Sequence, residues 1–270
     1  MSMIRQVTAS DAEAIERFLV TVPDSSMILR SNLRTGGFEY TGQPYQGTYV
    51  ASFEGDRVTG IACHAWNGNI VLQAPANAPE LAKRVLEVSG RELEGFIGVW
   101  EQVEACRVAF GFSEAEFNLL AREVLMSVRV SDIVPVGGVR LAALTDLEQL
   151  VKWGVDFDRE ALFEETPPAE WRANFERGIA AKRWFVLEEN QSLKAMGAFN
   201  ARTPDAVQLG GIYTPPKGRN RGAARRLVAG MLKQSGVERG VLFAKDPAAI
   251  RSYLAVGFRE CGNYGLAFLK

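Results

Sequence analysis

The sequence has little of the chemistry on which metal and disulfide proteins depend. Its 270 residues include one histidine, His64, and three cysteines, Cys63, Cys106 and Cys261. A zinc site normally needs several imidazole or thiolate ligands, and the sequence has no Cys-x-x-Cys pair. Widely spaced cysteines in odd number argue against a disulfide framework and indicate a reducing compartment, the cytoplasm. We therefore expect no metal, three cysteines that act as small buried hydrophobes, and a histidine with a structural role.

Long apolar runs and an excess of charge of one sign are also absent. No segment approaches the roughly 20 apolar residues of a membrane-spanning helix, and residues 1–5 lack the apolar core of a signal peptide. The 31 basic and 32 acidic residues give a net charge of −1. This balance predicts no general attraction to nucleic acid or to an anionic membrane.

The most informative stretch is residues 207–232, whose pattern predicts a strand, a turn and a helix. Two consecutive glycines, Gly210 and Gly211, interrupt the strand, as is typical of a bulge or of a close approach by another backbone. Pro215 and Pro216 end the strand because proline has no N–H for a sheet. Apolar residues then recur at helical spacing.

The turn between this strand and helix has the chemistry of an anion-binding site. Its residues are Arg219, Asn220, Arg221, Gly222, Ala223 and Ala224. The first N–H groups of a helix have no intrahelical partner and lie at the positive end of the helix dipole. Small side chains let a phosphate approach that backbone closely, and Arg225 and Arg226 add positive charge. The turn matches neither the dinucleotide fingerprint nor the P-loop pattern.

The spacing Arg-x-x-Gly-x-Ala in this turn resembles the pyrophosphate-binding motif of the GNAT-type N-acetyltransferase superfamily. Residues 246–258 resemble the late helix of the same superfamily. Asp246 stands where the family places an asparagine, Tyr253 follows seven residues later, and Gly257 and Phe258 close the helix. One predicted strand, at residues 240–245, separates the two motifs, which is the order that the superfamily requires.

The resemblance implies an α+β fold, layered α/β/α, with two GNAT-like domains in tandem, each a mixed, largely antiparallel twisted sheet flanked by helices. Residues 136–270 would be the acetyltransferase domain, which is similar to the FR47-like kind. Residues 1–135 would be a degenerate copy, because no Arg-x-x-Gly follows Gln73 and Arg107 stands where Tyr253 would align. An unrelated α+β domain is the alternative for this half. Its predicted elements are strands at 4–7, 47–53, 57–66 and 69–73 and helices at 11–20 and 79–89.

The family's activity implies transfer of an acetyl group from acetyl-CoA to a primary amine by direct attack in a ternary complex. The pyrophosphate would bind the turn, and the pantetheine arm would pair with the backbone of Ile212, Tyr213 and Thr214. Tyr253 would donate a proton to the departing thiolate. Tyr253 also shares a helical face with Ile250 and Leu254, so a core tyrosine is the alternative. The resemblance also places Asp246 among the cofactor-binding residues, although its carboxylate would cap its helix well but repel phosphate.

The acceptor amine needs a base, and the candidates lie where superfamily members place their acceptor-side helix and loop. Glu160 and Glu164 are spaced to share one helix face, although a solvated acidic face is the more common explanation for any single one of them. The acceptor stays open. Alternative functions are a non-catalytic acyl-CoA sensor and aminoacyl transfer from tRNA, which the charge balance disfavours. The first half could serve as a scaffold or as the interface of a homodimer.

Overall fold

The computed structural model describes residues 3–162 and 166–270, which form twelve strands and eight α-helices. The strands are β1 Met3–Gln6, β2 Gly47–Glu54, β3 Arg57–Ala65, β4 Asn69–Gln73, β5 Gly95–Val99, β6 Phe117–Arg129, β7 Val139–Leu141, β8 Trp184–Glu189, β9 Ser192–Arg202, β10 Ala206–Tyr213, β11 Arg239–Ala244 and β12 Arg259–Leu269. The helices are α1 Ala12–Leu19, α2 Met27–Gly36, α3 Ala78–Ser89, α4 Trp100–Ala109, α5 Leu147–Phe157, α6 Pro168–Ala180, α7 Ala223–Ser235 and α8 Pro247–Leu254. A π-helical turn, Asp158–Leu162, extends α5.

The described residues divide into two compact units. The first comprises the chain up to Met126 together with Phe243–Lys245 and Glu260–Lys270, and the second comprises Ser127–Leu242 and Asp246–Arg259. These units differ from the predicted domains 1–135 and 136–270 because β12, at the C-terminal end of the sequence, pairs antiparallel with β5. Pairing between backbones can join strands that are distant in sequence. The two domain boundaries remain a prediction.

The first unit is built on a sheet that is buried on both faces. Its strand order is β1-β2-β3-β4-β5-β12-β6, and β4 runs parallel to β5 while the pairs β1–β2, β2–β3, β3–β4 and β5–β12 are antiparallel. Successive side chains of a strand point to opposite faces. Val50 of β2 therefore packs in one core with Leu81 of α3, and its neighbours Tyr49 and Ala51 pack in another with Ile15 of α1.

The second unit repeats this plan with strand order β11-β10-β9-β8-β7. Its parallel pair is β10–β11, and its other strand pairs are antiparallel. Trp153, Phe175 and Trp184 form a core between the sheet and helices α5 and α6. In chain order each unit has three antiparallel strands, a helix, a parallel strand and a helix. The predicted fold class, α+β with mixed, largely antiparallel strand pairing flanked by helices in each unit, is confirmed.

The histidine and two of the cysteines have the structural roles expected of them. His64 is fully buried, and its ring nitrogens lie 2.6 Å from the Ser89 hydroxyl and 3.0 Å from the Gly68 carbonyl oxygen. Burial lowers the pKa of the His64 ring, which favours its neutral form. Cys63 and Cys106 are buried, whereas Cys261 is exposed. The prediction for Cys261 was wrong because it lies in the solvent-facing first residues of β12.

Residues 3–162 and 166–270 contain neither a membrane-spanning helix nor a cluster of metal ligands. None of their helices combines the length and the apolar character needed to cross a membrane. These residues also contain no group of three or more His, Cys, Asp and Glu side chains that could hold a metal ion.

Gly230 in α7 tests how closely the second unit is packed. A methyl group at this position would lie 2.5 Å from Cβ of Val139 in β7. Alanine normally gains about 1 kcal/mol over glycine inside a helix, but overpacking a core costs about 1–3 kcal/mol. We expect Gly230→Ala to lower the thermal unfolding midpoint by several degrees. The control Gly137→Ala, at a position with open space around it, should leave the midpoint unchanged. A rise in the Gly230→Ala midpoint would contradict the packing.

Candidate active site

Strand β10, which leads into the predicted anion site, stops pairing with its parallel neighbour β11 several residues before β10 ends. β10 pairs with β11 over Ala206–Gln208, and within the described residues this parallel pairing extends no further. The antiparallel pairing of β10 with β9 continues to Tyr213. The last five residues of β10 therefore have a strand partner on one side only. An extended chain that carries amide groups could add to the other side as a strand would.

The two glycines of β10 form the predicted bulge. The register with β9 shifts between Gly210 and Tyr213, and Gly211 has a positive φ of 59°. A methyl group at Gly211 would lie 2.9 Å from the ring of Trp184, so both the backbone geometry and the space favour glycine there. The bulge lets Tyr213 reach the core face, where its ring lies 6.2 Å from that of Trp153.

The turn after β10 presents an uncapped helix N-terminus. Asn220 and Gly222 adopt left-handed conformations with φ of 59° and 76°, and α7 begins at Ala223. No side chain caps this helix, and its first turn contains no acidic residue. The first backbone N–H to find a helical acceptor is that of Arg226, 3.1 Å from the Gly222 carbonyl oxygen. The N–H groups from Asn220 to Arg225 thus have no helical acceptor in the described part of the chain, which is the arrangement that an anion-binding helix N-terminus needs.

Several cations surround these N–H groups. Lys217, Arg221 and Arg225 are exposed, and among residues 3–162 and 166–270 none of the three has an ion-pair partner. The guanidinium of Arg225 lies beside Gly222, because a methyl group on that glycine would be 3.2 Å from its Nη2 atom. Arg226 instead pairs with Glu189. The predicted anion-binding turn, residues 219–224, is called the cradle from here on, and it is surrounded in sequence by positive charge. Sequence reasoning had not singled out Lys217.

Arg219 turns away from the cradle and binds the end of β10. Its Nε donates to the Thr214 carbonyl oxygen at 2.9 Å, its Nη2 pairs with Oε2 of Glu160, and its guanidinium carbon lies 5.7 Å from the centre of the Tyr213 ring. The Thr214 hydroxyl is buried and has no partner among the described residues. The structure thus uses the Arg219 side chain within the protein, while its backbone belongs to the cradle turn.

Glu160 accepts two hydrogen bonds in the same cluster. One comes from Arg219 and the other from the Tyr213 hydroxyl, 3.0 Å from Oε1 of Glu160. The hydrogen bond from Arg219 lowers the pKa of Glu160, while burial and the nearby carboxylate raise the pKa of Tyr213 to about 12. Glu160 lies in the π-helical turn, and Glu164 lies outside the described residues. The predicted Glu160–Glu164 helix face is therefore not part of the described structure.

The late helix α8 begins as the sequence predicted. The side chain of Asp246 accepts a hydrogen bond from the Ala249 N–H at 3.0 Å, so Asp246 is the N-cap. Tyr253 is 7% exposed and its ring centre lies 6.0 Å from that of Phe258. Leu254, by contrast, is 44% exposed. Helix α8 contacts α7, which begins at the cradle.

Two positions of the first unit at which the sequence departs from the second make contacts within the first unit. Its parallel pair β4–β5 is joined over Asn69–Leu72, and the N–H of Ala74 donates to Oε1 of Gln102 at 2.7 Å. Arg107, in α4, donates to the Phe112 carbonyl oxygen at 2.6 Å and pairs with Glu104. The backbone after Gln73, where the Arg-x-x-Gly pattern is missing, and Arg107, which stands in place of a tyrosine, thus both make contacts within this unit.

Comparison with protein families supports the chemistry of the second unit. Residues 147–258 match the model of the acetyltransferase (GNAT) family, and this span contains the bulged strand, the cradle and α8. Residues 147–258 are a GNAT-family domain. Both predicted motifs lie within it, so the predicted family is confirmed. No curated protein matches the sequence.

Solved structures extend the likeness in fold to the whole chain. A Drosophila protein has a TM-score of 0.65 at 11% identity over 100% of this chain and 99% of that one. A GCN5-related N-acetyltransferase from Sphaerobacter thermophilus has a TM-score of 0.57 at 14% identity, with 98% and 94% covered. One from Kribbella flavida has a TM-score of 0.54 at 15% identity, with 97% and 96% covered. At such identities the likeness concerns the fold alone.

Asp246 stands where the GNAT resemblance leads one to expect asparagine, and its capping bond gives a test. Loss of an N-cap side chain costs about 0.5–2 kcal/mol. We expect Asp246→Ala to lower the free energy of unfolding by about 1 kcal/mol, as measured by denaturant titration. Asp246→Asn should stay close to wild type because its amide oxygen can accept the same bond. Equal losses in both variants would show that the charge, and not the cap, is what stabilises α8.

Proposed function

We propose that the GNAT-family domain of this chain moves an acetyl group from acetyl-CoA to a primary amine of an acceptor, by direct attack in a ternary complex. The observation that carries the proposal is the continuity of two open features. The free side of β10 ends at the turn that leads directly into the uncapped N-terminus of α7. A cosubstrate with an amide-bearing arm joined to a diphosphate would use them in this order, with the arm along the strand edge and the diphosphate at the helix N-terminus.

The diphosphate would bind the cradle turn, Arg219 to Ala224, through its N–H groups from Asn220 onward, because the Arg219 N–H donates to the Pro216 carbonyl oxygen at 3.2 Å. Gly222, in its left-handed conformation, leaves the backbone open to close approach. The exposed cations Arg221, Arg225 and Lys217 would supply charge without first having to leave an internal carboxylate. Asp246 would contribute the cap of α8 and would not act as a phosphate ligand, because its carboxylate is anionic.

The pantetheine arm would pair with the backbone of Ile212, Tyr213 and Thr214 on the side that β11 leaves free. The buried Thr214 hydroxyl, which has no partner among the described residues, offers one further hydrogen bond at this edge. A backbone N–H of the same strand would face the thioester carbonyl and stabilise the charge that develops on its oxygen. These contacts would bind and orient the cosubstrate.

Proton transfer would use Tyr253, which would donate to the departing thiolate. Its placement on α8, which contacts α7, supports this role. Glu164 remains a predicted base for the acceptor amine, whereas Glu160, the other predicted base, is held by Tyr213 and Arg219. The tandem arrangement, the cytoplasmic location, the absence of nucleic-acid and membrane partners and a homodimer belong to the same proposal as predictions.

Calorimetry tests the cofactor site. We expect one coenzyme A site per chain, because the Arg-x-x-Gly-x-Ala turn occurs in the second unit and no such pattern follows Gln73 in the first. Gly222→Glu should abolish binding, since it places a carboxylate in the cradle. Gly236→Glu is the matched control at the other end of α7, where the glycine also has a positive φ, of 70°, and it should bind normally. Two sites per chain, or normal binding by Gly222→Glu, would refute the site.

The turnover of Tyr253→Phe separates an enzyme from a sensor. We expect coenzyme affinity and fold to be preserved and the turnover rate to fall by about 10²–10⁴, the usual range for a lost general acid. The loss of rate that ionisation of the phenol causes at high pH should also disappear. Tyr264→Phe, at a buried tyrosine of the first unit, is the control and should keep wild-type turnover.

An unchanged rate for Tyr253→Phe with a good acceptor would remove Tyr253 from the mechanism. Coenzyme binding without any acetyl transfer, over a panel of amine acceptors, would favour the acyl-CoA sensor instead.

A further inference from the structure

Glu160 joins the acceptor-side segment to the cofactor side of the same unit. The residue follows α5 in the π-helical turn, and its two carboxylate oxygens receive hydrogen bonds from Tyr213 at the end of β10 and from Arg219 in the cradle turn. Arg219 in turn donates to the Thr214 carbonyl oxygen. One carboxylate thus connects the π-helical turn, the strand end and the cradle turn.

This arrangement is poorly suited to a base. A carboxylate that accepts a charged hydrogen bond from a guanidinium loses basicity, and the pKa of Glu160 is lowered accordingly. Taking a proton from an amine would also weaken its pair with Arg219. The same bonds suit a positioning role, because they hold two side chains of the cofactor-binding segment at fixed places.

Arg219 is the element through which Glu160 would act on the coenzyme. The arginine begins the turn whose N–H groups form the cradle, and its side chain folds back onto Thr214 and over the Tyr213 ring. In this position its backbone is anchored at the strand end, while Asn220 and Gly222 take the left-handed conformations that shape the turn. Without the carboxylate, the guanidinium would lose one of its anchors, and the turn would become less ordered.

We propose that Glu160 is a positioning residue for coenzyme A binding, which orders the cradle turn through Arg219 and Tyr213 and does not act as the acceptor base. The proposal rests on the proposed function of this site. It assigns to the π-helical turn a part in cofactor affinity, although Glu160 itself need not touch the coenzyme.

The positioning role and simple charge repulsion predict opposite changes in coenzyme A affinity when Glu160 is replaced. The direction of the change in Kd therefore tests the proposal. Coenzyme A is a polyanion, so removing a nearby carboxylate should strengthen its binding by relieving repulsion. If Glu160 orders the turn, Glu160→Gln should weaken binding in spite of this relief. An ion pair that is partly exposed, as this one is, contributes modestly, so we expect the Kd for coenzyme A to rise about three- to tenfold.

The experiment is isothermal titration of coenzyme A into the full chain at fixed ionic strength, for wild type, Glu160→Gln, Arg219→Gln and the double variant. Coupling through Arg219 predicts that Glu160→Gln adds nothing once Arg219 has been replaced. Tyr213→Phe, which deletes one hydroxyl, should also raise the Kd. Glu148→Gln removes the same charge from a pair with Arg172 and serves as the control, with an unchanged Kd.

The outcomes separate the two proposals. If wild type binds no coenzyme A, both the proposed function and this inference fail. If wild type binds but Glu160→Gln binds equally or more tightly, only the positioning role fails. Full additivity of the two substitutions would also overturn it. Thermal unfolding of each variant guards against global damage, and if Glu160→Gln does not fold, Tyr213→Phe decides alone.

Discussion

The site in the second unit depends on the point at which β10 loses its parallel partner. Up to Gln208 the two strands satisfy each other's backbone groups, and beyond it the strand is held by β9 alone. Backbone N–H and C=O groups that leave a sheet need another partner, so this end of β10 is suited to take an extended chain. The left-handed Gly211 gives the strand its bulge, and the left-handed Gly222 starts the helix.

The contacts of Arg219, Glu160 and Thr214 at the end of β10 neutralise one positive charge near the free side of this strand. Arg219 carries a charge that could have served a phosphate directly, yet it is neutralised by Glu160 and held against Thr214. In the turn and just before it, Lys217, Arg221 and Arg225 have no ion-pair partner among the described residues. Their charge remains available, because none of them must break an internal pair before meeting an anion.

The two units share a topology and differ in a few side chains at its corresponding positions. Both have a parallel strand pair that follows three antiparallel strands and a helix. In the first unit the parallel pairing spans four positions, and Gln102 satisfies the N–H of Ala74. In the second unit it spans three positions. Neither α3 nor α7 has a side-chain cap, but the first turn of α3 contains Glu80, whereas that of α7 contains no acidic residue. The first unit thus has an amide acceptor at the end of β4 and an acidic side chain in the first turn of α3.

The sequence by itself determined the turns, helix caps and bulges whose geometry depends on adjacent residues. The turn at Arg219–Ala224, the cap at Asp246 and the bulge at Gly210 could be predicted because each depends on the backbone preferences of a few neighbouring residues. The hairpin β8–β9 was missed, although Asn190 and Gln191, both with positive φ, form a two-residue turn of a kind for which asparagine is a signal. Tertiary structure alone decided that β12 joins the first unit and that Glu160 meets Arg219, 59 positions away. Backbone pairing and long-range ion pairs carry no local signature, since any strand edge or opposite charge could serve, and only the folded chain selects the partner.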